Sequence, residues 1–262
     1  MATRRLATPC RLRLPGPALL RRAYELMRRK FGHQRWWPAQ TPFEVCVGAI
    51  LTQNTNWANV TRAIANLKTA GPLRPDTLLA LPQHRLARLI RPAGYYNVKA
   101  RRLRAFLRVL VRDFGGELNR LFDGPTEGVR DRLLAIEGIG PETADSMLLY
   151  AGGHFSFVVD AYTKRIFVRH GWCRPEATYA ELQQLLATAL DGLRTARRLD
   201  LWQDYHAQLV RVGHTHCRAG HPNCSDCPLR SLLPGRPKRL ARPGSSTRQS
   251  VRRSAHPLQR TP

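Results

Sequence analysis

The chain has 262 residues, 43% of them hydrophobic, enough to bury a sizeable core and to form one or two compact domains. Its 43 Lys and Arg against 18 Asp and Glu give a formal charge of +25, a balance that points to a polyanionic partner, with nucleic acid first. It contains no run of about 18 apolar residues, so no membrane span is expected, and its Arg-rich start lacks the apolar region and cleavage site of a signal peptide.

The charge is unevenly spread. Residues 1–30 carry nine Lys and Arg against the single acid Glu25, and residues 234–262 carry eight and no acid. The body between them still has a net charge of +9. Residues 1–17 read as a basic flexible tail, and 234–262, without apolar periodicity, as a basic disordered one.

Between the tails the chain reads as helices joined by short turns. Phe43, Val47, Ile50 and Leu51 form one apolar face, and Val60, Ile64 and Leu67 the next. Asp76 is placed to cap a short helix, and Pro82 and Pro92 bracket another around Leu86, Leu89 and Ile90. Residues 97–114 are strongly amphipathic, with Leu103, Phe106, Leu107, Leu110 and Val111 inward and the Lys and Arg outward. Thr178 and Glu181 form a capping box, and a last long helix is expected over roughly 196–212. Period-two alternation is almost absent, so the fold class is all-α.

The most informative stretch is Leu133-Leu134-Ala135-Ile136-Glu137-Gly138-Ile139-Gly140-Pro141-Glu142-Thr143-Ala144-Asp145. A helix ends near Ile136, two glycines make a tight turn, and Pro141 sits where a first helical residue is favoured. Backbone N–H groups at Gly138 and Gly140 can approach an oxygen ligand closely, and the following helix start adds its positive dipole end. The pattern suits one DNA phosphate; on its own it equally suits a plain helix–helix turn. A later apolar run, Phe157-Val158-Val159, ends in Asp160, which as an isolated feature reads as a helix N-cap.

Together these features resemble the endonuclease III group of helix-hairpin-helix DNA glycosylases over about residues 20–233. The resemblance includes Trp36-Trp37-Pro38, the run Leu51-Thr52-Gln53-Asn54-Thr55-Asn56-Trp57, Gly94-Tyr95-Tyr96-Asn97-Val98-Lys99-Ala100 and the cysteine cluster. The 3-methyladenine branch shares the Trp-Trp-Pro and Thr-Gln-Asn-Thr features. The resemblance implies a two-lobed helical fold: a bundle of residues 43–150 containing the hairpin, a second lobe of 18–42 plus 151–216, and a cysteine loop at 217–233. Bent, damaged double-stranded DNA would lie between the lobes of a monomeric intracellular, cytoplasmic enzyme.

The same resemblance assigns roles. Asp160 becomes the catalytic carboxylate, stabilising positive charge on the deoxyribose and orienting water. Trp36, Trp37 and Trp57 surround an extruded base, where a cationic alkylpurine gains cation–π attraction; ordinary packing is the other reading of Trp37. Gln53, with Asn54 beside it, fills the space the flipped nucleotide leaves. The Tyr95–Lys99 segment lines the other strand, unless Tyr95 is core. Strand-cutting members carry a Schiff-base lysine directly before Thr-Ala, where this chain has Glu142, so a monofunctional glycosylase without lyase action is expected. Lys164, one turn beyond Asp160, is read as a phosphate contact or a substitute amine.

Cys217, Cys224 and Cys227 match the first three ligands of the family's [4Fe–4S] loop, but the fourth position is Leu233. Three readings stay open: an iron–sulfur cluster with a noncysteine ligand such as His214 or His216, another metal such as zinc on three cysteines and a histidine, with His221 in the same loop, or no metal. In each the loop is structural, presenting Arg211 and Arg218 toward phosphate. Two other functions also stay open. One is a glycosylase for oxidised pyrimidines or mismatched adenine; the other is a noncatalytic damaged-DNA-binding protein.

Overall fold

The computed structural model describes residues 14–191 and 198–234, and the two expected tails fall almost wholly outside these residues. The described residues form helices, turns and irregular loops, with no strand among them. The helices are α1 (Pro17–Phe31), α2 (Pro42–Leu51), α3 (Trp57–Ala70), α4 (Pro75–Ala80), α5 (Gln83–Leu89), α6 (Tyr96–Phe114), α7 (Leu118–Leu121), α8 (Thr126–Leu134), α9 (Pro141–Met147), α10 (Ala161–Arg169), α11 (Tyr179–Asp191) and α12 (Arg198–Thr215). No helix among the described residues is long and apolar enough to cross a membrane.

Two apolar cores organise them. The first draws its buried side chains from Phe43 to Leu148. At its centre lies α2, buried along Phe43–Leu51 and packed against α3, α6 and α9. A helix apolar on every side belongs at the middle of a bundle. Thr41 caps it by accepting the amide of Glu44 at 3.1 Å, and the Glu44 carboxylate, buried, pairs with Lys68 at 2.9 Å. The second core joins Leu20, Ala23 and Met27 of α1 to residues from Leu149 to Leu229, including Phe157, Phe167 and Tyr205. The chain thus starts in one core, builds the other, and crosses back after α9.

Asp204 on α12 fixes the outward crossing. Its fully buried carboxylate accepts from Tyr24 Oη (2.8 Å), Arg28 Nη1 (3.0 Å) and the Gln34 amide (2.7 Å), tying α1 and the strap behind it to α12. Asp145 fixes the return. It pairs with Arg130 at 2.8 and 3.1 Å and accepts from Ser156 Oγ (2.5 Å) and Tyr179 Oη (2.7 Å), joining α8, α9, the extended run before Asp160 and α11. A buried carboxylate with this many charge-assisted donors is compensated for its lost hydration.

Two local expectations differ from the structure. Asp76 lies in the first turn of α4 rather than at its cap, because Pro75 takes the first helical position after Arg74. Lys99 does not face outward. It is buried, and its ammonium donates to the carbonyls of Leu51 (2.9 Å) and Ala93 (2.7 Å), stabilising the C-terminal end of α2. Desolvation pushes it down to about 8.

Candidate active site and DNA-binding cleft

Between the cores runs a cleft of about 1280 Å³. It is lined by Trp36, Trp37, Gln53, Asn54, Gly138, Gly140, Glu142 and Asp160, together with Arg102, Arg165, Arg218 and His206. One wall is therefore the hairpin and the start of α9, and the other is the start of α10 with α12. Basic side chains outnumber the two carboxylates among these residues.

On the hairpin wall, Gly138 has φ +84°, and a Cβ there would lie 2.2 Å from Arg102 Cγ. Conformation and space both require glycine at this position. Gly140 differs: its φ is −94° and an added Cβ would meet nothing within 4 Å. The fold itself does not demand that glycine, and the space it leaves opens outward. Pro141 then starts α9, whose first-turn amides have no partner within the helix, and residues 138–143 line the cleft.

Gln53 is held to this wall. Its Nε2 donates to the Gly138 carbonyl (3.1 Å) and Thr143 Oγ1 (2.9 Å), while its Oε1 accepts from Arg102 Nη1. Each end of the amide is thus engaged in bracing the hairpin. Asn54, exposed and with φ +53°, is the free polar tip of the same turn. Tyr95 is 73% exposed, which removes it from the core, and it lies outside the cleft lining.

The three tryptophans pack together. Trp36 and Trp57 have ring centroids 4.9 Å apart, Trp37 and Trp57 5.2 Å at 88°, and Trp36 and Trp37 5.4 Å. Trp36 and Trp37 face the cleft, and Trp57 supports them from α3 without lining it. Gly48, in the middle of α2, makes this possible: a Cβ there would sit 3.1 Å from Trp37 Nε1 and 3.3 Å from Trp57 Cη2. Trp37 also packs edge-on against Tyr150, at 5.2 Å. Tyr150 is carried by a π turn over Leu148–Gly152, a local widening that often marks functional positions.

Across the cleft, Asp160 is the N-cap of α10: Oδ1 accepts the Thr163 amide at 2.7 Å. The cap and the cleft position therefore coexist in one side chain. Its other oxygen, Oδ2, lies 3.8 Å from Nε2 of His206, a buried ring on α12. His206 Nδ1 is 2.7 Å from Tyr150 Oη, which also donates to the Gln203 carbonyl at 3.0 Å. Burial lowers the His206 pKa, the Asp160 charge opposing that effect, and burial together with nearby acids holds Tyr150 well above the usual phenol range. Glu142 opens to the cleft solvent, but the walls crowd its carboxyl. Lost hydration first, and the charge of Asp160 second, push it up to about 7.

Lys164 is not brought to the cleft. Its Nζ donates to the Ala177 carbonyl at 2.8 Å, because α10 turns that face toward the loop before α11. Arg165 on the next position does line the cleft, and it also holds the cysteine loop through Cys217 O (2.7 Å) and Gly213 O (3.1 Å). Arg218 lines the cleft as well, whereas Arg211 lies over the Phe31 ring at 5.9 Å, outside the lining. His206, Tyr150 and Arg165 carried no motif in the sequence; only their meeting in space marks them.

Cys217, Cys224 and Cys227 line a separate cavity of about 10 Å³, with His170, His216 and Leu233 on its walls. The histidine nitrogens are engaged: His170 with the Ile166 (2.8 Å) and Leu229 (3.4 Å) carbonyls, His216 with Thr215 Oγ1 (2.6 Å) and, across 3.5 Å, Asp226. Leu233 supplies methyl groups where a fourth ligand would be needed. These residues do not fit a four-thiolate [4Fe–4S] cluster, and no group of three His, Cys, Asp or Glu among the described residues is arranged to hold a metal ion. Arg169 braces the loop, donating to Cys217 Sγ (3.2 Å) and to the carbonyls of Arg218 (2.7 Å) and Ala219 (2.8 Å).

Residues 47–191 match the HhH-GPD superfamily of base excision DNA repair proteins. A Methanocaldococcus jannaschii protein named as a DNA repair glycosylase is 43% identical over 215 residues, covering 82% of this chain and 95% of its own. Endonuclease III of Bacillus subtilis is 31% identical over 191 residues, covering 73% and 80%. Among solved structures, an endonuclease III in non-covalent complex with DNA superposes with a TM-score of 0.70 at 25% identity, over 84% of this chain and 96% of that one. A 3-methyladenine DNA glycosylase of Helicobacter pylori bound to 1,N6-ethenoadenine superposes with a TM-score of 0.65 at 29% identity, over 75% and 96%.

Proposed function

The chain belongs to the HhH-GPD superfamily of base excision DNA repair proteins, and from that premise we propose that it is a monofunctional glycosylase releasing alkylated purines such as 3-methyladenine from duplex DNA. The observation that carries the proposal is the meeting, in one cleft, of the free oxygen of Asp160, the Glu142 carboxyl, and the indoles of Trp36 and Trp37.

DNA would be gripped through a phosphate at the free amides around Gly138 and Gly140, with Arg165 and Arg218 adding charge to the opposite wall. The damaged nucleotide swings into the cleft, and its base meets Trp36 and Trp37. A purine methylated to a cation is held there by cation–π attraction and is already an activated leaving group. Asn54 is the exposed tip able to enter the duplex, while Gln53 beside it is tied to the hairpin wall. As the C1′–N bond breaks, Asp160 faces the positive charge that develops on the sugar and orients water toward it.

Glu142 supports hydrolysis rather than strand cleavage, because a carboxyl group forms no imine. The cysteine loop is assigned a structural role held by Arg165 and Arg169, with no step routed through metal. The test is base release from methylated duplex DNA. Free 3-methyladenine, with strand breaks appearing only after alkali, is the expected result; breaks without alkali, or an intact alkylated purine, would defeat the proposal.

A further inference from the structure

Proton bookkeeping around Tyr150 carries an inference that rests on the proposed hydrolysis and goes beyond it. A phenol has one proton, and the Gln203 carbonyl, 3.0 Å from Tyr150 Oη, can only accept it. In the 2.7 Å contact between Tyr150 Oη and His206 Nδ1, the assignment that satisfies both contacts makes the imidazole the donor. A neutral ring with its proton on Nδ1 carries its lone pair on Nε2. That atom is buried, has no hydrogen-bond partner, and belongs to a residue that is 5% exposed and lines the cleft. It lies 3.8 Å from Asp160 Oδ2, itself unbonded because the Thr163 amide takes Oδ1. Two acceptor atoms on residues that line the cleft thus lie 3.8 Å apart, and two adjacent acceptors repel unless a donor sits between them.

We propose that His206 is a further catalytic residue, the general base for the hydrolytic water. A water that donates one hydrogen to Asp160 Oδ2 and the other to His206 Nε2 has both oxygen lone pairs directed away from the wall, toward the cleft. As the C1′–N bond breaks, its electron pair leaves on the alkylated base, which becomes neutral. The water oxygen forms the new bond to C1′, and its proton passes to Nε2. The imidazolium so formed is opposed by the Asp160 carboxylate, and Tyr150 keeps Nδ1–H in place throughout. Asp160 then remains the group that faces the sugar, which divides the two tasks between two side chains. Trp37 packs on Tyr150, so the base pocket and the water-activating ring share one buried support.

The experiment measures single-turnover release of 3-methyladenine from methylated duplex DNA by the full chain, its His206→Gln and His206→Ala variants, with thermal stability and affinity for an abasic-site duplex recorded alongside. The expected result is base release by the wild type, a loss of about 10²–10⁴-fold in both variants at near-wild-type affinity and stability, and partial recovery of His206→Ala by added imidazole. Gln has a polar end but takes no proton at neutral pH, so His206→Gln at the wild-type rate would overturn the proposal. So would losses that track falling affinity or stability and that imidazole leaves unchanged, since those mark a packing role. Failure of the wild type to release the base would instead defeat the proposed function, and this inference with it.

Discussion

Asp160 commits one carboxylate oxygen to the Thr163 amide, at 2.7 Å, and leaves the other facing His206 across 3.8 Å. The division lets stability and chemistry be separated by substitution. Asparagine keeps an oxygen for the cap, whereas alanine loses it. Asp160→Ala should therefore cost about 1 kcal/mol more stability than Asp160→Asn, while both slow base release. Chemical denaturation of the two variants checks the first statement; equal stabilities would mean that the cap contributes nothing.

Glu142 makes a pH-dependent contribution. Its carboxyl is raised from 4.5 to about 7 in the folded protein, so between those values the native state binds its proton more tightly than the unfolded chain does. The resulting stabilisation is complete below about 4.5 and is lost as pH rises through about 7. Glu142→Gln carries no such titration. Its melting temperature relative to wild type should rise between about pH 5 and about pH 8. The shift is small, because the side chain opens to cleft water. A constant difference across that range would place Glu142 in ordinary solvent.

Trp36 should matter more for charged bases than for neutral ones. A cation–π contact contributes about 0.5–2 kcal/mol, or about 2- to 30-fold in rate. Trp36→Leu should lose that factor on a cationic methylpurine relative to a neutral alkylated purine, measured under single-turnover conditions. Equal losses on both substrates would reduce the indole to a packing surface. Trp57 supports the pocket from behind, so its removal should lower both rates together.

The cysteine loop yields a prediction about what holds it. Arg169 makes charge-assisted bonds to two loop carbonyls and to Cys217, and losing such bonds costs about 1.5–3 kcal/mol. Arg169→Leu should lower the melting temperature, whereas treating the wild type with a strong chelator should leave it unchanged. Destabilisation by the chelator would show a metal holding the loop, and the three-cysteine donor set would have to be reconsidered.

Much of this architecture was legible in the sequence because it rests on local rules. The amphipathic run at 97–114 is α6, Tyr96–Phe114. Thr178 and Glu181 form the expected reciprocal cap, with the Thr178 amide donating to Glu181 at 2.7 Å and the Glu181 amide to Thr178 at 3.2 Å. Gly138 announced a tight turn, and its φ of +84° is the reason. What escaped is non-local. Lys99 reads as one more outward base on a basic helix; only the arrival of Leu51 and Ala93 makes it a buried cap. His206 and Tyr150 are 56 residues apart and unremarkable singly; their hydrogen bond, and the approach of Asp160, exist only after the chain crosses between cores. Lys164 illustrates the converse, since one turn beyond Asp160 suggests proximity to the cleft while the Ala177 carbonyl claims its ammonium.

The measurement that bears most directly on the account is base release from methylated duplex DNA by wild type and Asp160→Asn, with strand breaks scored before and after alkali and binding to the same duplex followed in parallel. The account predicts free 3-methyladenine from the wild type, breaks only after alkali, and a variant that binds with similar affinity but is slower by about 10²–10⁴-fold. Base release by Asp160→Asn at the wild-type rate, or strand breaks before alkali, would contradict it.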